Sequence, residues 1–384
     1  MKVTKLTKII SSTLIVASAL ALNPIGASAE WKENYKGWWY VEGSSWATGW
    51  KLIDSKWYYF DSSGYMVKNT TIAGYYLNSN GVRSELITSG NFKFEKLTGT
   101  IVDYIGSDNS VVIPSKIDGI DVKHINFIKS PNIKGITSIT LPDSITSIDA
   151  MQFMYLSNLT SINIPNGVTS IGKFAFEGCS SLTSISLPNS LKSIGTKAFN
   201  GCSSLTNLTI PDSVTKIDPV AFGMCTSLTS ITIPNGVTRI NDSAFSDCTS
   251  LTNITIPDSV TTIAPNAFSG CSSLRNITIP NGVTTIMRGA FINCSNLTSI
   301  TIPNGVTRIE NSTFKGCSNL TSITIPDSVT SIGNDYDGPS RGAQVKKNLA
   351  FSNCTNAKFY VTSETVKQLL INYGIAESKI IIKK

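Results

Sequence analysis

A strict repeat of 23 residues constrains this chain more than any other feature of its sequence. Three residue types each recur once per repeat in a fixed slot. Proline occupies positions 142, 165, 188, 211, 234, 257, 280, 303 and 326, phenylalanine 153, 176, 199, 222, 245, 268, 291 and 314, and cysteine 179, 202, 225, 248, 271, 294 and 317. A period in the twenties is the signature of a solenoid, in which each repeat forms one coil and buries its apolar face against its neighbours.

Residues 179–199, CSSLTSISLPNSLKSIGTKAF, show how one coil is expected to fold. Ile185 and Leu187 are two residues apart, so on a strand both point into the core while the polar residues beside them point outward. The proline that follows ends this strand, because it cannot donate a ladder hydrogen bond. Ile194 lies on a second extended segment, and Phe199 is expected to anchor a short helical turn. The sequence therefore predicts a mainly β fold.

The first 29 residues have the pattern of a secretory signal peptide. Three lysines precede an apolar run from Ile9 to Leu22, and the sequence ASA at Ala27–Ala29 fits a small-residue cleavage site. The run is too short to span a bilayer comfortably, and no later stretch is apolar enough to do so. Removing the peptide lowers the formal net charge from +7 to about +4, which does not favour nucleic acid as a partner. We therefore expect a secreted protein of the cell surface or cell wall, with no membrane span in the mature chain.

The following residues divide into segments of different character. Residues 30–83 contain all six tryptophans, in aromatic runs closed by turn residues, which is typical of β-hairpins. Residues 84–134 contain two predicted strands, FKFEKL and TIVDYI, and a degenerate first repeat, SVVIPSKIDGIDVKHI. Residues 135–356 contain the regular repeat. Because the last phenylalanine and cysteine of the series are displaced by 14 residues, we expect an insertion near residues 334–347.

Residues 357–384 are expected to cap the end of the solenoid. AKFYV and KIIIKK read as strands, and the segment between them has helical periodicity, an N-cap at Ser363 and a terminating glycine at Gly374. The apolar positions of this helix are Val366, Leu369, Leu370 and Tyr373. A strand-helix-strand cap is needed because the last coil of a solenoid otherwise exposes its apolar edge.

The repeat unit LxxIxIPxxVxxIxxxAFxxC resembles the BspA-like leucine-rich repeats of bacterial surface proteins. The resemblance covers residues 92–384 and implies a right-handed leucine-rich repeat solenoid, of about ten coils at this period. The aromatic runs, above all TGWKLIDSKWYYFDSSGYM, resemble the choline- and glucan-binding cell-wall repeats of Gram-positive bacteria over residues 37–83. That second resemblance implies aromatic boxes between successive hairpins that hold choline or a sugar.

The candidate ligand residues of the hairpin module follow from this resemblance by motif position. They are Trp38, Trp50, Trp57, Tyr59, Met66 and Tyr76. A box of electron-rich Trp and Tyr rings attracts a quaternary ammonium by cation–π interaction, or stacks on a sugar ring. The last hairpin departs from the family pattern, because KNTTIAGYY replaces the expected TGW, so we expect one or two complete sites. The alternative is that these aromatics only pack three small hairpins together.

The eight cysteines allow three interpretations. An even number in an exported chain is typical of disulfides, and stacked coils bring equivalent Cα atoms to about 5 Å, but parallel side chains do not face each other. A metal site is disfavoured, because the sequence has no CxxC pair and only one histidine, His124. In the first full repeat Leu156 occupies the cysteine slot, and leucine can replace a packing group but not a bridge or a ligand. We therefore expect buried free thiols.

No residue pattern indicates catalysis, a cofactor or a metal. His124 takes a slot that regular repeats fill with solvent-facing polar residues, so we expect an exposed side chain. Aspartates after proline, as at Asp143 and Asp212, alternate with asparagines, as at Asn166 and Asn189, which indicates turn chemistry rather than a catalytic carboxylate pair. The sequence has no nucleophile elbow and no phosphate-binding glycine loop. We expect a protein that is not an enzyme.

The outward slots of the first strand carry only Ser, Thr or Asn through the regular repeats. The residues considered as a possible interaction face are Asn207, Ser230, Thr232, Asn253, Thr255 and Asn276, with Arg239, Arg275 and Arg308 at its edges. Trp, Tyr and Arg, which dominate protein hot spots, are absent from the outward slots themselves. The pattern favours weak, repeated contacts with a protein or glycan, or a face that only keeps the coils soluble.

Together these features predict a secreted cell-surface protein. The hairpin module would hold it noncovalently to a cell-wall polymer, either choline-bearing teichoic acid or glucan, and the solenoid would serve protein interaction or adhesion. The alternative is a carbohydrate-binding wall scaffold or spacer without a specific protein partner. A wall-degrading enzyme is disfavoured, because no segment is left for a catalytic domain once the solenoid is subtracted.

Overall fold

The computed structural model describes residues 29–127, 130–333 and 349–383. The predicted signal peptide, apart from Ala29, and the predicted insertion at residues 334–347 lie outside the described residues. The described residues form two compact units, one ending at Leu86 and the other beginning at Ile87.

The first unit consists of short antiparallel hairpins. Its strands are β1 (Glu30–Asn34), β2 (Gly37–Glu42), β3 (Ser45–Trp46), β4 (Gly49–Ile53), β5 (Lys56–Phe60), β6 (Thr70–Ile72), β7 (Tyr75–Leu77) and β8 (Arg83–Ser84). β1 to β3 form one sheet, β4 and β5 a second, and β6 to β8 a third. The two-residue loops Asp54-Ser55 and Ala73-Gly74 have positive φ at both positions, as type I′ hairpin turns require. The hairpins predicted from the aromatic runs are thus confirmed.

The second unit begins with a lead-in that already pairs with the solenoid. Its strands are β9 (Leu86–Ser89), β10 (Phe92–Glu95), β11 (Thr100–Tyr104), β12 (Ser110–Val112), β13 (Lys116–Ile117), β14 (Ile120–Asp121) and β15 (His124–Ile125), and a 3-10 helix follows at Pro131–Gly135. β10 and β11 are the two predicted strands and pair antiparallel. β12 pairs in parallel with the first strand of the next repeat, so the degenerate repeat forms a coil as predicted.

Parallel pairing between coils continues to the cap. The strands are β16 (Ser138–Thr140), β17 (Ser161–Ile162), β18 (Ser170–Ile171), β19 (Ser193–Ile194), β20 (Lys216–Ile217), β21 (Ser230–Thr232), β22 (Arg239–Ile240), β23 (Asn253–Thr255), β24 (Thr262–Ile263), β25 (Thr285–Ile286), β26 (Ser299–Thr301), β27 (Arg308–Ile309), β28 (Ser322–Thr324) and β29 (Ser331–Ile332). Paired residues are 23 apart, as for Ile231 with Ile254. The predicted solenoid is confirmed and has about 12 coils, more than expected, because the lead-in and the cap add strands to the same ladder.

The segment that carries the phenylalanine of each coil is not helical, so the prediction of a short helical turn there is wrong. Ala198 N–H donates to the Gly195 carbonyl of its own coil, at 3.1 Å. Phe199 N–H instead donates to the Ala221 carbonyl of the next coil, at 2.8 Å. Lys197 has a φ of 56°, which a right-handed helix does not allow. Bonds to the next coil therefore replace those that a helix would make within itself.

A column of phenylalanine rings runs through the core of the solenoid. The buried rings have centroids 5.3 to 5.9 Å apart and interplanar angles of 23° or less. Its members are Phe153, Phe176, Phe199, Phe222, Phe245, Phe268, Phe291, Phe314 and Phe351. Each inner ring contacts one ring above and one below, so the column links the coils one to the next.

The cysteines form a second buried column. All eight are free and buried, and each thiol donates to the carbonyl of a phenylalanine in the preceding coil at 3.0 to 3.2 Å. Leu156, in the same slot, is equally buried. The prediction of buried free thiols is confirmed. Burial raises the pKa of the Cys248 and Cys294 thiols to about 12.

The cap has the predicted order of elements. It consists of β30 (Lys358–Val361), α1 (Glu364–Tyr373), a 3-10 helix at Glu377–Lys379 and β31 (Ile380–Ile382). Ser363 is the N-cap and accepts a hydrogen bond from Val366 N–H, and Gly374 ends the helix in the left-handed conformation. Tyr373 lies edge-on to Phe351, with ring centroids 6.2 Å apart. The helix therefore covers the end of the phenylalanine column.

His124 is exposed, as predicted, and pairs with Asp149. Its Nδ1 lies 2.9 Å from the Asp149 carboxylate, so the pair joins β15 of the lead-in to the first full coil. The hydrogen bond to Asp149 raises the pKa of His124, against smaller lowering effects of burial and of Lys123.

We expect the inner thiols of the cysteine column to react slowly with a thiol reagent at pH 8. The pKa of Cys248 and Cys294 is raised to about 12, so about one in ten thousand of these thiols is ionised at that pH, and the thiolate is the reactive form. Mass spectrometry after brief exposure to iodoacetamide should find Cys248 and Cys294 unmodified in the native protein, whereas all eight cysteines should react in denaturant. Rapid labelling of a central residue such as Cys248 in native buffer would contradict the buried column.

The stabilising effect of His124 should be present at pH 6 and largely lost at pH 8. Its folded pKa lies above the unfolded value of about 6.5, so the stabilisation is complete below that value and disappears as pH rises through the folded pKa. The pair is exposed to solvent, so the change in free energy of unfolding should be about 1 kcal/mol at most. Urea unfolding at both pH values measures it. Asp149→Asn should remove this pH dependence, and an unchanged dependence in the variant would refute the assignment.

Candidate functional site

The aromatic residues of the first unit separate into two groups, because neighbours on a strand point to opposite faces. In β5, Trp57 and Tyr59 lie on one face, and Tyr58 and Phe60 lie on the other. Phe60 is fully buried, whereas Trp57 and Tyr59 are partly exposed. The single aromatic run KWYYF therefore contributes both to a core and to a surface.

The first group, here called the hairpin core, consists of Trp31, Tyr40, Tyr58 and Phe60. The ring centroid of Trp31 is 4.9 Å from that of Tyr58 and 5.2 Å from that of Tyr40. Burial, with a smaller contribution from Asp54, raises the pKa of Tyr58. Packing of β1, β2 and β5 against one another accounts for these rings.

The second group, here called the Trp50 cluster, consists of Trp50, Tyr59 and Tyr75. Trp50 and Tyr59 are cross-strand partners in β4 and β5, and their ring centroids are 5.4 Å apart. Tyr75, the first residue of β7, lies 5.7 Å from Trp50. Both contacts are edge-to-face, and Tyr75 is 40% exposed. The cluster thus joins the second and third hairpins and reaches the surface.

Arg83 lies over the outer member of the Trp50 cluster. Its guanidinium Cζ is 3.7 Å from the centroid of the Tyr75 ring. Arg83 is the cross-strand partner of Leu77 in β7 and β8. Tyr75 precedes Leu77 by two residues on the same face, so the long arginine side chain reaches the ring diagonally. One face of the Tyr75 ring is therefore in contact with a cation.

The structure brings two of the predicted ligand residues together, Trp50 and Tyr59. Tyr75, which the sequence reasoning missed, joins them. Tyr76 is buried and lies on the opposite face of β7 from Tyr75. The two-residue turn before β7 determines which tyrosine faces which side, so counting forward from that turn is the signal that points to Tyr75.

The other predicted ligand residues are placed differently. Trp38 is 38% exposed and lies edge-on to Trp31, with centroids 6.4 Å apart. Met66 packs beside the hairpin core. Trp57 shares the Tyr59 face of β5 and is the cross-strand partner of Leu52. A role in binding stays a prediction for these three residues.

The first-strand face of the solenoid is exposed, and the threonines that border it form hydrogen bonds between coils. The six predicted residues Asn207, Ser230, Thr232, Asn253, Thr255 and Asn276 are all exposed. Thr252 Oγ1, beside the face, donates to the Thr229 carbonyl at 3.1 Å, and Asn276 accepts from Thr298 Oγ1 at 3.1 Å. The face is therefore an uncharged surface bordered by an ordered row of hydrogen bonds.

The three predicted arginines do not form one patch. Arg239 and Arg308 lie on second strands three coils apart, so about 14 Å separates them. That distance exceeds the Debye length of about 8 Å at physiological ionic strength. Arg275 lies beside the first strand instead, and Arg239 Nε donates to Asn241 at 3.1 Å. These charges act separately rather than as one binding surface.

In the described part of the chain, no group of three or more His, Cys, Asp or Glu side chains is placed to hold a metal ion. Over the same ranges, no helix combines the length and hydrophobicity needed to cross a bilayer. The Trp50 cluster is the arrangement in the first unit whose chemistry points to a ligand.

Comparison with protein families separates the same two parts of the chain. A profile described as "BspA type Leucine rich repeat region (6 copies)" matches residues 131–252 and 215–336, together more than half of the chain. A profile described as "Choline-binding repeat" matches residues 47–82, which include all three rings of the Trp50 cluster. The solenoid and this match define a leucine-rich repeat protein that carries a choline-binding repeat. The chain belongs to the BspA type leucine-rich repeat family.

Several solved structures are similar to this chain. A leucine rich cell surface protein from Faecalibacterium prausnitzii is 27% identical, with a TM-score of 0.37, over 72% of this chain and 94% of that one. A leucine-rich repeat protein from Bacteroides ovatus is 24% identical, with a TM-score of 0.37, over 78% of this chain and 98% of that one. The pneumococcal vaccine antigen PcpA is 21% identical, with a TM-score of 0.39, over 82% of this chain and 100% of that one. No curated protein matches the chain.

Proposed function

We propose that this is a secreted cell-surface protein that binds a choline-bearing polymer of the cell wall and uses its solenoid for interaction or adhesion. The observation that carries the proposal is the Trp50 cluster, three rings that reach the surface within the segment that matches a choline-binding repeat. In this proposal residues 1–29 are the signal peptide, residues 30–83 the wall-binding module and residues 135–356 the solenoid proper. Residues 84–134 and 357–384 cap its two ends.

A quaternary ammonium suits the chemistry of the Trp50 cluster. Such a cation has no hydrogen to donate, so its recognition depends on the negative faces of aromatic rings. Trp50 and Tyr59 are partly buried, which strengthens the attraction relative to a fully exposed ring, to about 2 kcal/mol when the contact is desolvated. Glucan is the second candidate ligand, since the same rings can stack on a sugar. The family match to a choline-binding repeat favours choline.

The solenoid acts in this proposal as a binding or display element and not as a catalyst. Both family matches describe repeats that are not catalytic domains. The first-strand face is exposed, regular and uncharged, which suits weak contacts repeated from coil to coil. The second candidate is a wall scaffold or spacer without a specific protein partner. The hydrogen bonds that occupy the threonine hydroxyls beside the face and the amide oxygen of Asn276 favour that alternative.

Replacing one ring of the Trp50 cluster should weaken choline binding. Tyr59→Leu removes a ring face, so we expect the dissociation constant for free choline to rise about three- to tenfold. Tyr59→Phe keeps the ring and should bind choline nearly as well as the wild type. Tryptophan fluorescence titration of the full chain measures both affinities.

Tyr35→Ala is the matched control for this experiment. Tyr35 belongs to the same unit but is 92% exposed and lies outside the cluster, so its loss should leave choline binding unchanged. Equal losses in Tyr35→Ala and Tyr59→Leu would contradict a specific site. If the wild type binds soluble glucan but not choline, the wall ligand is a sugar.

Charge placed on the first-strand face should block any partner that binds there. The double variant Thr232→Lys with Thr255→Lys puts two cations on neighbouring coils, and we expect at least about a tenfold loss of retention, because repeated contacts are lost together. A glycan and host-matrix array probed with the full chain provides the ligands. Thr238→Lys, exposed but outside the first strand, should retain binding. Unchanged retention of the double variant would favour the spacer alternative.

A further inference from the structure

We infer that four turns of the solenoid are selective sites of spontaneous deamidation, at which asparagine becomes aspartate or isoaspartate without an enzyme. Each turn has the same sequence, Pro-Asn-Gly-Val-Thr, and the four asparagines are Asn166, Asn235, Asn281 and Asn304. An asparagine followed by glycine is the most reactive arrangement, because glycine has no side chain to hinder the approach of its own nitrogen. The turns lie in the solenoid, so the reaction is independent of wall binding.

The reaction needs only water and the chain itself. The glycine amide nitrogen loses its proton and attacks the side-chain carbonyl carbon of the asparagine. Ammonia leaves as the new C–N bond closes a succinimide ring, and water then opens the ring at either of its two carbonyls to give aspartate or isoaspartate. In a folded protein the asparagine must therefore reach solvent, and the glycine N–H must not be held in a hydrogen bond.

The four turns meet both conditions. Their asparagines are all exposed. In each turn the proline carbonyl accepts a hydrogen bond from the valine N–H at 3.0 Å, as for Pro165 and Val168, and this bond spans the Asn-Gly pair without using it. In the part of the chain that the structure describes, the four glycine N–H groups donate no hydrogen bond. The attacking nitrogen is therefore free in the folded coil. The glycines are Gly167, Gly236, Gly282 and Gly305.

Two further Asn-Gly pairs of the chain fail the second condition. Gly201 N–H donates to a carbonyl of the next coil at 2.8 Å, and Gly81 N–H donates to the Asn78 carbonyl at 3.0 Å. Removing the proton from either nitrogen breaks a hydrogen bond, which slows the attack. Asn200 and Asn80, which precede these glycines, are here called the bonded controls. They have the same dipeptide, but its nitrogen is in use.

The slot of the four asparagines accepts the aspartate product. Aspartate follows the proline in four other coils and is exposed in all of them. These residues are Asp143, Asp212, Asp258 and Asp327. Asn189 has the same slot but is followed by Ser190, whose Oγ donates to the Val168 carbonyl of the preceding coil at 2.6 Å. That serine crowds the nitrogen and anchors the turn, so Asn189 is a control for the need for glycine.

Packing distinguishes turns whose sequences are identical. A Cβ placed on Gly167 would have no heavy atom beyond its chain neighbours nearer than 3.8 Å, whereas one on Gly236 would meet the Thr215 methyl group at 2.9 Å. Gly305 is placed like Gly236, against a threonine of the preceding coil. The reaction requires the turn to bring the nitrogen onto the side chain, and close packing resists that movement. Asn166 should therefore convert faster than the asparagines before Gly236 and Gly305.

The test follows each asparagine by peptide mapping of the full chain. The protein is incubated at pH 8 in native buffer and, separately, in urea, and samples are digested at mildly acidic pH, where the reaction is slow. Mass spectrometry then measures aspartate and isoaspartate at each position against time. In native buffer the four turns should convert at least about fivefold faster than the bonded controls. In urea all six Asn-Gly pairs should convert at similar rates, and Asn189 more slowly.

Gly167→Ser gives the first of these turns the chemistry of the Asn189 turn. Gly167 does not have a positive φ and has space for a side chain, so the variant should fold. Conversion of Asn166 should be lost in native buffer, and the other three turns should be unchanged. Because each conversion adds one negative charge, isoelectric focusing of aged wild type should show a ladder of increasingly acidic forms, one step shorter in the variant.

Three results would overturn the inference. In the first, the four turns stay intact in native buffer while they convert in urea, which would show that the fold protects them. In the second, all six Asn-Gly pairs convert equally in native buffer, so that the free nitrogen confers no selectivity. In the third, Asn166 converts as fast in Gly167→Ser as in the wild type, so that the glycine nitrogen is not what determines the reaction.

Discussion

Parallel pairing at a step of 23 residues is the constraint on which the second unit depends. Neighbouring strands lie about 4.8 Å apart, so every side chain sits beside its equivalents in the adjacent coils. The phenylalanine centroids, 5.3 to 5.9 Å apart, and the thiol-to-carbonyl bonds, 3.0 to 3.2 Å long, follow from that geometry. A slot accepts only residues that fit beside their equivalents in the adjacent coils, which explains why the sequence repeats so strictly.

The first unit does not stack equivalent residues. Successive residues of one strand there pack against different parts of the unit. Two-residue turns set the register, and alternation along β5 sends Phe60 to the hairpin core and Tyr59 to the Trp50 cluster. The hairpin core and the proposed binding site therefore share one short aromatic run. A substitution at Tyr59 affects a partly exposed contact, whereas one at Phe60 leaves a cavity in a very small core.

Much of the fold could be predicted from the sequence, because the 23-residue period and the pattern of apolar residues are local signals that every coil repeats. Leu156 in the cysteine slot was enough to distinguish packing from chemistry. The turn at Lys197 and Phe199 was mispredicted because its hydrogen bonds go to the next coil, and a local pattern does not show them. Trp50 and Tyr59 could be found by motif, but Tyr75 and Arg83 required the register of the third hairpin, which only the paired strands reveal.

The equivalence of the coils has a consequence for how such a protein can change length. Because each column of side chains continues through chemically similar residues, one 23-residue unit can be added or removed while the remaining coils keep the same neighbours. Each addition would move the two ends of the solenoid apart by about 5 Å. Insertion or deletion of whole repeats would therefore alter the length of the solenoid in small, equal increments, with the lead-in and cap left intact. Copy number, rather than any particular residue, is the adjustable property of this solenoid.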